Sequence, residues 1–157
     1  MINRWFDYDG EMFKKALQAI IGPPSPSRKS FSDPILGELK PAETGWTATI
    51  SRGDDSFTFG IGGESMPDAV LLAHAHEICN SYESFKKGVW DCVEMESKDY
   101  PDDVKAEIAG LKIDFKSSLW PKRPNDGMIF FRGPKQHTGL WRCDYIDRKP
   151  VGLGCDT

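Results

Sequence analysis

A chain of 157 residues suits one domain, and at that length roughly 68–70% of the unfolded surface is removed from water on folding. Nine Phe, five Trp and four Tyr supply a core, while a net charge of −4 argues against general binding to nucleic-acid backbones. The longest apolar runs, AVLLA and MIFF, fall far short of the ~20 residues that span a bilayer.

The first ten residues, MINRWFDYDG, carry acids where a secretory leader would hold its apolar segment. A cytoplasmic protein is therefore expected. Residues 8–22 follow as an amphipathic helix. Phe13, Leu17, Ile20 and Ile21 share one face, Asp9 stands as N-cap and Gly22 as the stop. Residues 23–30, PPSPSRKS, form a semi-stiff linker. Residues 1–22 are thus an N-terminal helical appendage, through which a homodimer would form, and 31–157 make the main domain.

That domain opens with a Ser-Asp-Pro turn and a short strand around Ile35–Leu39. WTATISR (46–52) and SFTFGIGG (56–63) alternate apolar and polar residues across a Gly-Asp-Asp turn, which reads as a hairpin. Residues 67–97 carry the longest helical pattern. Leu71, Ala75, Ile78, Tyr82, Phe85, Val89 and Cys92 form an unbroken apolar stripe, with Pro67 and Asp68 at its positive end. A second helix, 101–111, repeats the Pro-Asp start. Strands return at 112–120, with Ile113 and Phe115 on one side, then at 128–132, at 140–147 and in the tail PVGLG. The expected fold is α+β: a mostly antiparallel sheet packed on one long central helix.

The stretch LLAHAHEIC (71–79) holds two of the three histidines beside a glutamate and a cysteine, all metal-ligand types. Residues two apart on a helix lie about 200° around the axis from one another, so His74 and His76 diverge. His74 is expected half-buried at the core margin and His76 in water, with no shared metal and no cofactor. Cys79, Cys92, Cys143 and Cys155 lack any CxxC spacing. The first three read as buried small hydrophobes and all four as reduced thiols. FGIGGES (59–65) does not follow the spacing of a dinucleotide-binding loop. Its glycines read as turn or bulge residues.

Charge is unevenly spread. Asp91, Glu94, Glu96, Asp99, Asp102, Asp103 and Glu107 stand against Lys98 and Lys105, a local net of −5. Residues 111–149 carry nine Lys and Arg against four Asp. An acidic helix end of this kind would speed association with a basic protein partner. Asp91, Glu94, Asp99, Asp102 and Asp103, with Trp90 beside the stripe, are the candidate contact residues. No catalytic set is coherent. The rival reading is a small hydrolase or ligand-binding enzyme using His137 with strand-borne Asp or Cys.

Phe31, Asp33, Pro34, Leu36, Gly37, Leu39 and Trp46 at the start of the domain, and Trp141, Tyr145, Asp147, Pro150, Leu153, Gly154 and Asp156 at its close, are similar to the two ends of a group of small bacterial domains found near toxin systems. The resemblance implies a binding or immunity role, and together with the acidic helix end it leads to the expectation of a non-enzymatic, protein-binding domain, an immunity or accessory factor for which a basic toxin domain is a candidate partner. It implies a fold and no catalytic residue.

Overall fold

The computed structural model describes residues 28–133 and 140–156. Eight strands follow one another across a single sheet in sequence order. They are β1 (Phe31–Asp33), β2 (Gly37–Pro41), β3 (Gly45–Arg52), β4 (Asp55–Gly62), β5 (Lys112–Ser118), β6 (Gly127–Arg132), β7 (Leu140–Ile146) and β8 (Lys149–Asp156). Helices α1 (Ala69–Asn80), α2 (Tyr82–Glu96) and α3 (Asp102–Ala109) all lie between β4 and β5. Every neighbouring pair is antiparallel except β4 with β5, which the helical crossover leaves parallel. The predicted N-terminal helix, most of the linker and His137 lie outside the described residues.

The hairpin of β3 and β4 forms as its alternation predicts. Trp46, Ala48, Ile50, Phe57, Phe59 and Ile61 are buried on one face, while Thr49 and Thr58 meet by their hydroxyls at 3.0 Å on the other. Gly53 holds the turn at φ +60°, the left-handed conformation that a two-residue hairpin demands. At the start of the domain the Asp-Pro turn is itself the link between two strands. The Asp33 carboxylate accepts the backbone N–H groups of Ile35 at 2.9 Å and Leu36 at 2.7 Å, so the strand expected at 35–39 begins only at Gly37.

The single long helix is not found. Strand accounts for 42% of the described residues against 28% for helix, which is divided into three short pieces. The pattern over 67–97 breaks at Ser81, whose backbone sits at φ −124°, ψ 41°. Its hydroxyl donates to the Glu77 carbonyl at 2.7 Å, a local bond that competes with the helical ladder. The apolar stripe survives the break, and all seven of its residues are buried, because α1 and α2 bend over the same sheet face. Asp68 caps α1 by accepting from Val70 and Leu71, each at 3.0 Å.

A second correction concerns β5. The pairing with β6 shifts register between Ile113 and Phe115. This bulge places Phe115 with Met128 and Phe130 on the face away from the helices and turns Lys116 inward, beneath the helices, where it is 0% exposed. One extra residue in a strand reverses every side chain after it.

Candidate functional site

Two clefts that combine apolar walls with polar groups are built on α2. The first lies between α2 and α3 and encloses about 590 Å³. Trp90, Val93, Ile108 and Leu111 form its floor, and Glu94, Lys98 and Lys105 its walls. Trp90 packs its ring 5.6 Å from that of Phe131 on β6, tilted by 43°, and also lines the groove. Helix α3 is held to the sheet by the indole N–H of Trp141, which donates to Glu107 at 2.7 Å.

The predicted contact residues divide around this groove. Trp90 and Glu94, one turn apart, both line it. Asp91 lies on the exposed side of α2 and is paired with Lys87 at 2.5 Å. Asp99 stands exposed in the link between α2 and α3. Asp102 and Asp103 occupy the first turn of α3, where the helix dipole favours acids whether or not a partner binds. The basic C-terminal half is not simply a solvated face. Lys116 and Arg142 are buried, and Arg142 donates to Asp144 at 3.1 Å and to Asp156 at 2.7 Å. Burial nevertheless pushes the Asp144 carboxyl up to about 6, against the opposing pull of Arg142.

The second cleft, about 360 Å³, opens where α1 bends into α2 and faces the turn between β7 and β8. His74 lines it while only 4% exposed, and neither ring nitrogen has a hydrogen-bond partner. Its Nδ1 is 3.7 Å from Glu77, too far for a hydrogen bond. Burial, joined by the nearby charges of Lys116 and Arg148, lowers the imidazole to about 4. Tyr145 forms the inner wall, its ring 5.7 Å from that of His74. Behind that ring Lys116 Nζ sits 4.5 Å from the centroid and donates to Ser118 at 2.6 Å. Desolvation lowers this ammonium to about 7.

Arg148 and Lys149 form the outer rim. Arg148 occupies the hairpin turn at φ +65°, a strained position for a residue with a Cβ. The turn is held there by Asn125, whose side chain accepts from Arg148 Nε at 2.8 Å and whose carbonyl accepts the Arg148 backbone N–H at 2.9 Å. The Arg148 guanidinium reaches across to Glu77 at 2.7 Å. Gly88 lies opposite, in the interior of α2. A methyl group there would meet only the Pro150 ring, at 4.0 Å, so packing does not require the glycine, although it costs about 1 kcal/mol of helix stability relative to alanine.

A third cleft, about 540 Å³, contains Asp55, Tyr82 and Lys86. These groups are already engaged with one another: Asp55 accepts from Tyr82 at 2.9 Å and from Lys86 at 2.6 Å.

The two neighbouring histidines diverge on α1 as their spacing predicts, yet neither sits as expected. His74 is fully buried rather than marginal, because the β7–β8 hairpin closes over that edge of the helix. His76 is only 25% exposed, and its Nε2 lies 2.9 and 2.8 Å from the two carboxylate oxygens of Asp33. Desolvation would raise the Asp33 carboxyl. The backbone donors Leu36 and Ile35 and the His76 ring outweigh it, and the carboxyl is held below its ordinary range. Among the described residues no group of three His, Cys, Asp or Glu side chains could hold a metal ion. Cys79, Cys92 and Cys143 are buried and Cys155 is exposed, with the Cys92 and Cys143 sulfurs 3.8 Å apart between α2 and β7. The contacts of Lys116 and His74 could not be read from local pattern; the one available signal was the costly glycine at position 88.

Comparison with protein-family models, with curated proteins and with solved structures finds no match to this chain. No helix among the described residues is long and apolar enough to cross a membrane.

Proposed function

We propose that this chain is a protein-binding domain whose α2–α3 groove receives an apolar side chain from a partner with a basic surface. The observation that carries the reading is the groove's apolar lining, in which the half-buried Trp90 packs against Phe131 and stands beside Val93, Ile108 and Leu111. Interfaces draw most of their energy from such anchored aromatics. Glu94 lines the groove beside Lys98 and Lys105, and the acids outside it, Asp91, Asp99, Asp102 and Asp103, would steer the approach of a basic partner and be felt in the association rate. In this reading the domain acts in the cytoplasm as an immunity or accessory factor, and a basic toxin domain is the partner class that its charge suits.

Affinity-tagged protein, incubated with lysate from its source and washed at low salt, should retain a basic partner in a 1:1 ratio. Trp90→Ala should weaken that complex by roughly 30-fold, the equivalent of about 2 kcal/mol for a central aromatic. Neutralising Asp99, Asp102 and Asp103 together should slow association and flatten its salt dependence. A partner bound equally well by the Trp90 variant, or one that is acidic, would refute the assignment.

A further inference from the structure

We propose that the cleft between the α1–α2 bend and the β7–β8 turn binds a small organic anion, a carboxylate carried on a short apolar body. The site is separate from the α2–α3 groove and stands whether or not that groove binds a protein. Four observations converge on it. His74 lines the cleft, is 4% exposed, and has no hydrogen-bond partner at either ring nitrogen, the nearest carboxylate oxygen being that of Glu77 at 3.7 Å. Buried polar groups are almost always satisfied, and one that lines a cleft without a partner in the fold is placed to take one from a ligand. The volume of about 360 Å³ falls at the small end of the range for small-molecule sites. Gly88 keeps the floor open where the helix would gain from a larger residue and where one methyl group would fit. Arg148 is placed at the rim by the two-residue β7–β8 turn, in which Asp147 and Arg148 both take the left-handed conformation that such a turn demands.

The ligand class follows from the walls. Phe85, Ile78, Pro150 and the Tyr145 ring present apolar surface, which suits a hydrocarbon or aromatic body. Arg148 and Lys149 stand at the mouth, with Lys116 behind Tyr145, against Glu77 as the one acid lining the cleft. Glu77 is already paired with Arg148, and guanidinium has further donors to offer a second carboxylate. A carboxylate bound between Arg148 and His74 would give the imidazole N–H an acceptor.

Benzoate is the probe, with benzyl alcohol and inorganic phosphate as its two halves. Imidazole resonances of the full chain should be followed by NMR during titration with each. Benzoate should shift the His74 ring signals and the Gly88 amide to saturation and leave His76 in place. Benzyl alcohol and phosphate should each bind at least tenfold more weakly. Arg148→Gln, an exposed substitution, should weaken benzoate at least tenfold, and Gly88→Leu should abolish its effect while the rest of the amide spectrum stays native. Should the leucine variant fail to fold, the glutamine variant decides. Benzoate leaving His74 unmoved, moving His76 equally, or binding Arg148→Gln unchanged would overturn the site. Either half binding as tightly as benzoate would overturn the ligand class.

Discussion

Lys116→Met should stabilise the protein at pH 7 and lose that advantage in alkali. Lys116 is fully buried, with Ser118 as its hydrogen-bond acceptor and the face of Tyr145 as its other neighbour. Desolvation takes the ammonium from 10.5 to about 7, and each unit corresponds to 1.36 kcal/mol of difference between the protonation states. Because the folded value is depressed, the unfolded chain binds the extra proton between pH 7 and 10.5, and stability rises with pH across that window. At pH 7 the penalty is about 4 kcal/mol, falling to about 1 kcal/mol at pH 10. Methionine fills similar space without a charge. It forfeits the Ser118 bond and the ring contact, and leaves Ser118 without this donor, together about 2 kcal/mol. The net expectation is a gain of about 2 kcal/mol at pH 7, or roughly 4–8 °C in Tm for a chain of this size, turning to a loss of about 1 kcal/mol at pH 10. Urea unfolding of both proteins at the two pH values, with unchanged m, measures it. A variant less stable than the parent at pH 7, or a difference that does not vary with pH, would refute the reasoning and mean that Lys116 keeps its charge in the fold.

Three further outcomes follow from the same contacts. His74 is lowered from 6.5 to about 4, so about 3 kcal/mol of stability present above pH 6.5 should disappear as pH falls to 4; His74→Leu should flatten that part of the urea-midpoint profile. Asp68→Ala should remove the cap of α1 and cost about 1 kcal/mol, read by chemical denaturation, with a cost near zero contradicting the capping role. Arg142→Met should cost about 3–5 kcal/mol by leaving the Asp144 charge buried without its partner, and adding Asp144→Asn should recover part of that loss in a double-mutant cycle.

The parts of the fold legible in the sequence are those whose signal is local and periodic. The stripe from Leu71 to Cys92 predicts its own burial because both helices present the same face to one sheet. The break inside it is carried by Asn80 and Ser81, weak helix formers that periodicity alone does not weigh. Alternation predicts the β3–β4 hairpin correctly and misplaces Phe115, since a bulge costs one residue and leaves no mark in the pattern. The contacts that define both histidines are long-range. Asp33 precedes His76 by 43 residues, and the hairpin that covers His74 begins some 65 residues after it. Of the acidic run, the sequence locates the charges, but only tertiary structure separates Glu94, which lines the groove, from Glu107, which anchors α3 to Trp141.

The one parallel pairing in the sheet also bears on how the chain folds. Strands β1–β4 and β5–β8 are each joined to their neighbours in sequence order, so each half can zip from its own turns. The halves meet only where β4 lies beside β5, bringing together residues 58 and 115, 57 positions apart. Closing that span costs about 3 kcal/mol more entropy than closing a two-residue turn, and it cannot be recovered until the intervening helices pack. The seam between β4 and β5 is therefore the step that should limit the folding rate. Substitutions along it, at Phe59 or Ile61, should slow refolding more than equally destabilising ones within either half.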